Sequence, residues 1–311
     1  MRGLREAVRF DSGFWRRFAE LGCVYGPEWW KRGSPPAIAG IVFTIAARQR
    51  QAVLANQRQV LGARGWLREQ WDAYRVFAEF ARSVTEGMEQ WGPRPRPLSI
   101  RVSDPGVIPA ALARGRGLIV VTGHFGSWEV AARGLAEFGR PFNLVMAREA
   151  NPTVRDFTHA LRTRYGVQAI YSDRSVFAAL PILQALRRHE VVGMQIDPWG
   201  TVGGEPIDFC GRPARFQQGP FALARVARAP LVPVFAVRTD IRTYEIHVAG
   251  CFEPTTPADS HAAFAATVGA YERLVRERPS QWLMFDEVWS DESASARPEG
   301  SEADTVRASR G

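Results

Sequence analysis

Between residues 98 and 290 short apolar runs alternate with stretches of helical periodicity. "GLIVVTG" (117–123), "FNLVMAR" (142–148), "VQAIYS" (167–172), "EVVGMQID" (190–197) and "PLVPVFAVRT" (230–239) predict strands. "LSIRV" (98–102) and "YEIHVAG" (244–250) predict two more. The first of these runs is apolar without a break, as a strand covered on both faces requires. Between the strands, 108–115, 127–139, 152–166, 175–189 and 219–229 predict helices, and 260–285 predicts a long closing helix. Such alternation implies an α/β fold: a mixed, largely parallel sheet flanked by helices. In that architecture ligands collect beyond the C-terminal ends of the strands.

Residues 1–97 carry a different pattern and predict a helical N-terminal region, with breaks at "YGPEWWKRGSPP" and near "GARG". Over 66–90, Trp66, Tyr74, Phe77, Phe80, Ala81 and Val84 recur mostly at three- and four-residue steps, the stripe of a packed helix. "WGPRPRPLSI" ends it with three prolines. The expected organisation is a helical region over 1–97, an α/β domain over 98–290 and a disordered polar tail over 291–311.

Composition narrows the function classes. Three separated cysteines, Cys23, Cys210 and Cys251, exclude a disulfide framework and a cysteine-rich metal site. A net charge of +8, from 40 Lys+Arg against 32 Asp+Glu, suits an anionic partner. No basic run or zinc-finger spacing accompanies it, so nucleic acid is not the expected partner. The first 22 residues mix charge into every turn and do not read as a secretory signal. The apolar run at 37–47 is shorter than the roughly 20 residues a spanning helix needs. Phe10, Phe14, Phe18 and Leu21 at helical spacing among Arg9, Arg16 and Arg17 fit a helix lying on an anionic bilayer. Tyr25, Trp29 and Trp30 beside Lys31 and Arg32 fit the headgroup region. A helix docked on the main core is the competing reading.

The candidate chemistry lies where the first fully apolar strand ends. His124 follows "LIVVTG", and Glu129 stands at the start of the next helix. A turn at "HFGS", bent at Gly126, can bring the two together. The carboxylate then orients the imidazole, and the second ring nitrogen serves as a base. Unpaired N–H groups at the helix start offer an anion or oxyanion site. Other readings stand beside this one. His124 and Glu129 could be two ligands of a zinc that wants three, Ser127 a nucleophile without the GxSxG elbow, or His124 a structural cap.

"GLIVVTGHFGSWEVAARGL" resembles the first block of the glycerophospholipid acyltransferase superfamily, marked by histidine, four residues, then Asp or Glu. The closer resemblance is to the bacterial lipid A late acyltransferases (lauroyl and myristoyl transferases) and their relatives that acylate mannosylated phosphoinositides. "VMAREANPTVRDF", "VVGMQIDPWG", "IDFCGRPARFQQGPFALARVARAPLVPVFAVR" and "ERPSQWLMF" are similar to further blocks in the same order. The chain departs in reading "DEVWS" where the family continues with His and basic residues, and Pro198 stands where glutamine is usual.

The resemblance implies His124 as general base with Glu129 as its partner, and no metal. It implies substrate-binding roles for Arg148, Asn151, Asp197, Arg212 and Arg215: Arg148 on phosphate, Asn151 shaping its loop, Asp197 orienting Arg148 or capping a loop, and the last two meeting an anion in a turn near the cleft. The implied reaction is O-acyl transfer from an acyl-carrier-protein or coenzyme A thioester to a hydroxyl of a lipid A precursor-like lipid, with no cofactor. A phosphoinositide mannoside, another glycolipid or an aminolipid is the alternative acceptor. A thioesterase or lysophospholipid hydrolase, or a noncatalytic lipid-binding protein, is the alternative class. The expected place is the cytoplasmic face of the bacterial inner membrane, held peripherally. Oligomeric state has no signal in the sequence.

Overall fold

A computed structural model describes residues 22–23, 25–91, 95–127, 130, 139–147, 167–172, 178–197 and 204–289. Three helices lead: α1 (Glu28–Ile45), α2 (Ala47–Leu61) and α3 (Trp66–Trp91). The glycines of "GARG" divide α2 from α3, with Gly62 at φ 75° and Gly65 at φ 81°, a region that favours glycine. The break expected at "YGPEWWKRGSPP" falls differently. Helix α1 begins at Glu28 and continues through Pro35 and Pro36, and the chain interrupts instead at Ala46. The prolines lack two helix donors. The Tyr74 hydroxyl donates to the Pro36 carbonyl at 3.0 Å, and Pro35 is buried, so packing against α3 holds the helix through them.

The α/β part follows as β1 (Ser99–Val102), α4 (Val107–Leu112), β2 (Leu118–Thr122), β3 (Phe142–Ala147), β4 (Val167–Ser172), α5 (Ala179–Arg187) and β5 (Val191–Gln195). Then come β6 (Glu205–Phe209), β7 (Arg212–Phe216), α6 (Gly219–Ala227), β8 (Leu231–Asp240), β9 (Thr243–Val248) and α7 (Pro257–Glu277). Seven strands form one sheet in the order β1-β9-β8-β2-β5-β3-β4, and β6 and β7 form a separate hairpin. Every neighbouring pair in the sheet is parallel except β8 with β9. The expected mixed, largely parallel sheet is therefore present.

Alternation along the strands divides the core. Ile119, Val121, Val192, Leu231, Phe235 and Val237 face α5, α6 and α7. Leu118, Val120, Val191, Val232, Val234 and Ala236 face the other way, toward α4. Burial on both faces explains the unbroken apolar run of β2. Helix α7 starts on a reciprocal cap: the Thr256 hydroxyl accepts from Asp259 N, and Asp259 accepts from Thr256 N.

A row of carboxylates joins the N-terminal helices to the sheet. Glu79 of α3 takes a forked pair of bonds from Arg238 of β8, and Glu86 accepts from the Tyr244 hydroxyl at 2.5 Å. Glu89 meets both Arg242 and Lys31. These side chains are largely buried, so each charge depends on its partner. Truncating Arg238 to methionine leaves Glu79 without its fork. A loss of about 3 kcal/mol in urea unfolding is expected, and Glu79→Leu added to the same chain should recover part of it.

Candidate active site

The register of two strands builds the site. Strands β2 and β5 are parallel, with Thr122 opposite Gln195. The ladder runs one step further, Ile196 N donating to the Thr122 carbonyl at 2.9 Å. His124 and Asp197 each lie two residues beyond those paired ends, so the register alone sets them side by side. The Asp197 carboxylate uses one oxygen twice: Oδ2 accepts from the His124 main-chain N–H at 2.6 Å and lies 3.0 Å from His124 Nδ1. Its other oxygen, Oδ1, accepts from the Tyr271 hydroxyl of α7 at 2.5 Å.

The loop carrying His124 is pinned on both sides. The His124 carbonyl accepts from Leu283 N at 2.7 Å, and Gly126 N donates to the Gln281 carbonyl at 2.9 Å. Ser127 N donates to the Ala236 carbonyl at 3.4 Å, and Ser83 of α3 reaches the Gly126 carbonyl. Gly126, at φ 58°, has to be glycine: a Cβ there would occupy the position of the Ala236 carbonyl. Gln281 in turn binds both main-chain groups of Arg238 through its amide. The "PSQW" segment is thus a brace that fixes the histidine loop to the end of β8.

Burial is the largest single influence on the His124 ring and disfavours its charged form. The hydrogen bond and the charge of Asp197 together outweigh it, so the imidazole is raised above its ordinary value of 6.5. The geometry assigns Nδ1–H to the carboxylate and directs the second nitrogen away from it. An imidazole raised in this way accepts a proton strongly and then holds it as an ion pair, the arrangement needed by a general base.

The sequence-predicted residues distribute unevenly. His124 stands at the strand end, as the sequence predicts. Glu129, predicted as its partner, lies outside the described residues, as do Arg148 and Asn151. Asp197, expected to orient Arg148 or cap a loop, is the carboxylate found against the ring. Arg212 opens β7, exposed and opposite Phe209 across the hairpin. Arg215 donates to the Gly204 carbonyl at 3.0 Å. Neither arginine contacts His124 or Asp197 among the described residues. The turn predicted at Gly211 is the tip of this hairpin, with Cys210 at φ 54° and Gly211 at φ 81°. Gln217, just past β7, ties the hairpin to the Ile196 carbonyl beside Asp197. The expected helix-start amides lie outside the described residues, and those of Phe125, Gly126 and Ser127 are bonded within the protein. No group of three His, Cys, Asp or Glu side chains able to hold a metal occurs among the described residues.

Tyr271 was not legible as a site residue. In sequence it is one more large residue on an apolar stripe with Phe264, Val268, Leu274 and Val275. Only its hydroxyl, on a face otherwise without polar atoms apart from Thr267, distinguishes it.

Compared with known families, residues 24–291 match the bacterial lipid A biosynthesis acyltransferases. The chain belongs to that family. Among curated proteins it is similar to the phosphatidylinositol mannoside acyltransferase of Mycobacterium tuberculosis, in strains CDC 1551 and H37Rv alike. Identity is 26% over 193 residues, 61% of this chain and 60% of the relative. The chain therefore matches about three fifths of the length of these curated relatives.

Replacing Asp197 with asparagine removes the charge that opposes burial, so the His124 titration should move below that of the native protein. Histidine proton resonances followed against pH, with His124→Ala used to assign the signal, check it.

Proposed function

We propose that this protein transfers a fatty acyl group from a thioester, carried by acyl-carrier protein or coenzyme A, to a hydroxyl of a membrane glycolipid. The observation that carries this reading is the His124–Asp197 pair, 3.0 Å apart beyond two parallel strand ends, in a member of a lipid acyltransferase family. The acceptor hydroxyl gives its proton to the ring nitrogen remote from Asp197. Its oxygen then attacks the thioester carbon. The carbon–sulfur bond breaks as the tetrahedral intermediate collapses, and the imidazolium returns the proton to the departing thiolate. Asp197 steadies the imidazolium throughout, so no protein nucleophile or metal has a role in this scheme.

The family name supports a lipid A precursor as acceptor, and the mycobacterial relative's name supports a phosphatidylinositol mannoside. Both are anionic glycolipids bearing free hydroxyls, and that shared chemistry is the substrate class proposed. Arg148, Asn151, Arg212 and Arg215 keep their proposed part in binding an anionic headgroup or donor, Arg148 with the forked geometry that suits phosphate. Glu129 is proposed to act on the same histidine from the following helix.

The place of action is proposed to be the cytoplasmic face of the inner membrane, held peripherally. No helix among the described residues is long and apolar enough to cross a membrane. Helices α1 and α3 run antiparallel, Lys31 meeting Glu89 near one end and Phe43 meeting Phe77 toward the other. Trp29, Ile41 and Ile45 of α1 and Trp66, Leu67 and Trp71 of α3 are each more than half exposed. Arg32 of α1, Arg48 at the start of α2, and Arg68 and Arg75 of α3 are exposed as well. Exposed apolar side chains on helices that also expose arginines fit an anionic bilayer surface.

With a defined acyl thioester and glycolipid, His124→Ala should lower acyl transfer at least a thousandfold while the melting temperature stays close to native. Native turnover by this variant would overturn the assignment. Thioester consumption that releases free fatty acid without acceptor would replace it with a hydrolase. Separately, Ile41→Asp combined with Trp71→Asp should weaken co-sedimentation with phosphatidylglycerol vesicles about tenfold or more, and binding that ignores both charge and substitution would exclude this face.

A further inference from the structure

Asp197 is a nearly fully buried carboxylate with two oxygens, and only one of them serves the histidine. The other is held by Tyr271, and the phenol itself is held more tightly than an ordinary core tyrosine. Its ring stacks on Phe235 with centroids 5.1 Å apart and planes 8° from parallel. Phe125 meets it edge-on at 6.1 Å, and Phe209 and Phe216 of the β6–β7 hairpin close the remaining sides. The residue before the histidine is shaped by the same ring. A Cβ at Gly123 would lie 2.4 Å from the carbon bearing the phenol oxygen and 2.6 Å from the oxygen itself, so this position has to be glycine for the hydroxyl to reach Asp197. Among the described residues, Trp282 Nε1, which faces the phenol, meets no acceptor in hydrogen-bond geometry.

Burial first, and then the neighbouring Asp197 charge, push the Tyr271 phenol well above its ordinary value, so it remains protonated and acts only as a donor. A donor to one carboxylate oxygen does two things. It fixes the plane of the group, so that Oδ2 points along the His124 Nδ1–H direction. It also draws negative charge toward Oδ1, which limits how strongly Asp197 stabilises the imidazolium. Among the described residues, Asp197 from the end of β5 is the titratable group acting on His124, and it is also the one acting on Tyr271.

We propose that Tyr271 is a positioning residue for acyl transfer, acting through Asp197 to set both the orientation and the proton affinity of His124. The proposal rests on the reading of His124 as the general base. It gives a reason for two features of the chain that otherwise look like packing: a phenol hydroxyl on the buried stripe of α7, and a glycine between the apolar strand and the histidine.

Tyr271→Phe keeps the ring stack and deletes one oxygen. Two measurements are made on the full chain. The first is acyl transfer from the thioester to the glycolipid as a function of pH. The second is the titration of His124 by histidine proton NMR without substrate, assigned by His124→Ala. Loss of one hydrogen bond to a buried carboxylate should lower kcat roughly tenfold with KM little changed. With the donor gone, Asp197 favours the imidazolium more, so the His124 titration and the acid limb of kcat/KM should both move to higher pH. Placing 3-fluorotyrosine at position 271, a stronger donor that preserves the contacts, should move the titration the opposite way. That variant decides the matter if Tyr271→Phe does not fold. An unmoved or downward titration in Tyr271→Phe overturns the proposal, even with a fall in kcat, because loss of packing alone would give that. Because the titration needs no substrate, it stands or falls separately from the acyl-transfer reading. Failure of acyl transfer in the native protein with a shifted titration would overturn that reading instead.

Discussion

The Asp197 carboxylate holds together three parts of the chain far apart in sequence. It takes the main-chain N–H and the ring of His124 on one oxygen and the α7 phenol on the other. A buried carboxylate without donors is costly to desolvate, and three donors are what make its burial tolerable. The dependence is mutual. The strand register brings Asp197 to the histidine, and the bonds it makes there fix the loop that the register only approximates. The main-chain bond to His124 matters as much as the ring contact. It ties backbone and imidazole to the same oxygen, so the ring cannot drift from the carboxylate unless the loop itself moves.

The C-terminal segment completes that restraint. Gln281, Trp282 and Leu283 run beside the histidine loop and bind it through the Gly126 amide and the His124 carbonyl. Gln281 also closes the end of β8 through both main-chain groups of Arg238, and the same arginine forks onto Glu79 of α3. A continuous set of bonds therefore leads from the histidine loop to the N-terminal helices. The exposed apolar side of those helices and the His124 site are held by one rigid frame. Under the proposed docking on a bilayer, such a frame would let contact at the helices orient the site.

Much of this fold was legible from periodicity alone. The seven strands of the main sheet and the helix over Trp66–Trp91 follow from patterns of two and of three to four residues, whereas the β6–β7 hairpin was not read from the sequence. What failed was local punctuation overridden by packing. Pro35 and Pro36 read as a break, but α3 covers them and α1 runs on. His124's place was legible because it directly follows an unbroken apolar strand. Its partner Asp197 was visible as a residue but not in its role, 73 positions away. That role depends on strand order, and β5 returns between β2 and β3 only after β4 has been laid down at the edge. No local pattern encodes such a return, and Glu129, the carboxylate that the sequence points to, lies outside the described residues. Tyr271 was hidden for the opposite reason: its periodicity fits the core so well that the hydroxyl passes unnoticed.

The buried charges between α3 and the β8–β9 turn follow a different logic from the site. Burial pushes the Glu86 carboxyl upward even with the Tyr244 hydroxyl and Arg238 against it, while Glu89, equally buried in its side chain, is held down by Arg242 and Lys31 once burial is offset. Replacing such a cluster with apolar residues is often neutral or favourable for stability, so stability alone is a weak reason for its presence. Direction is a better one. An apolar α3 face would pack on the sheet in several rotations, but Glu79, Glu86 and Glu89 meet Arg238, Tyr244 and Arg242 in only one. That one rotation turns Trp66, Leu67 and Trp71 outward. The charged row thus specifies which side of the helix stays exposed, and the outward tryptophans are its consequence.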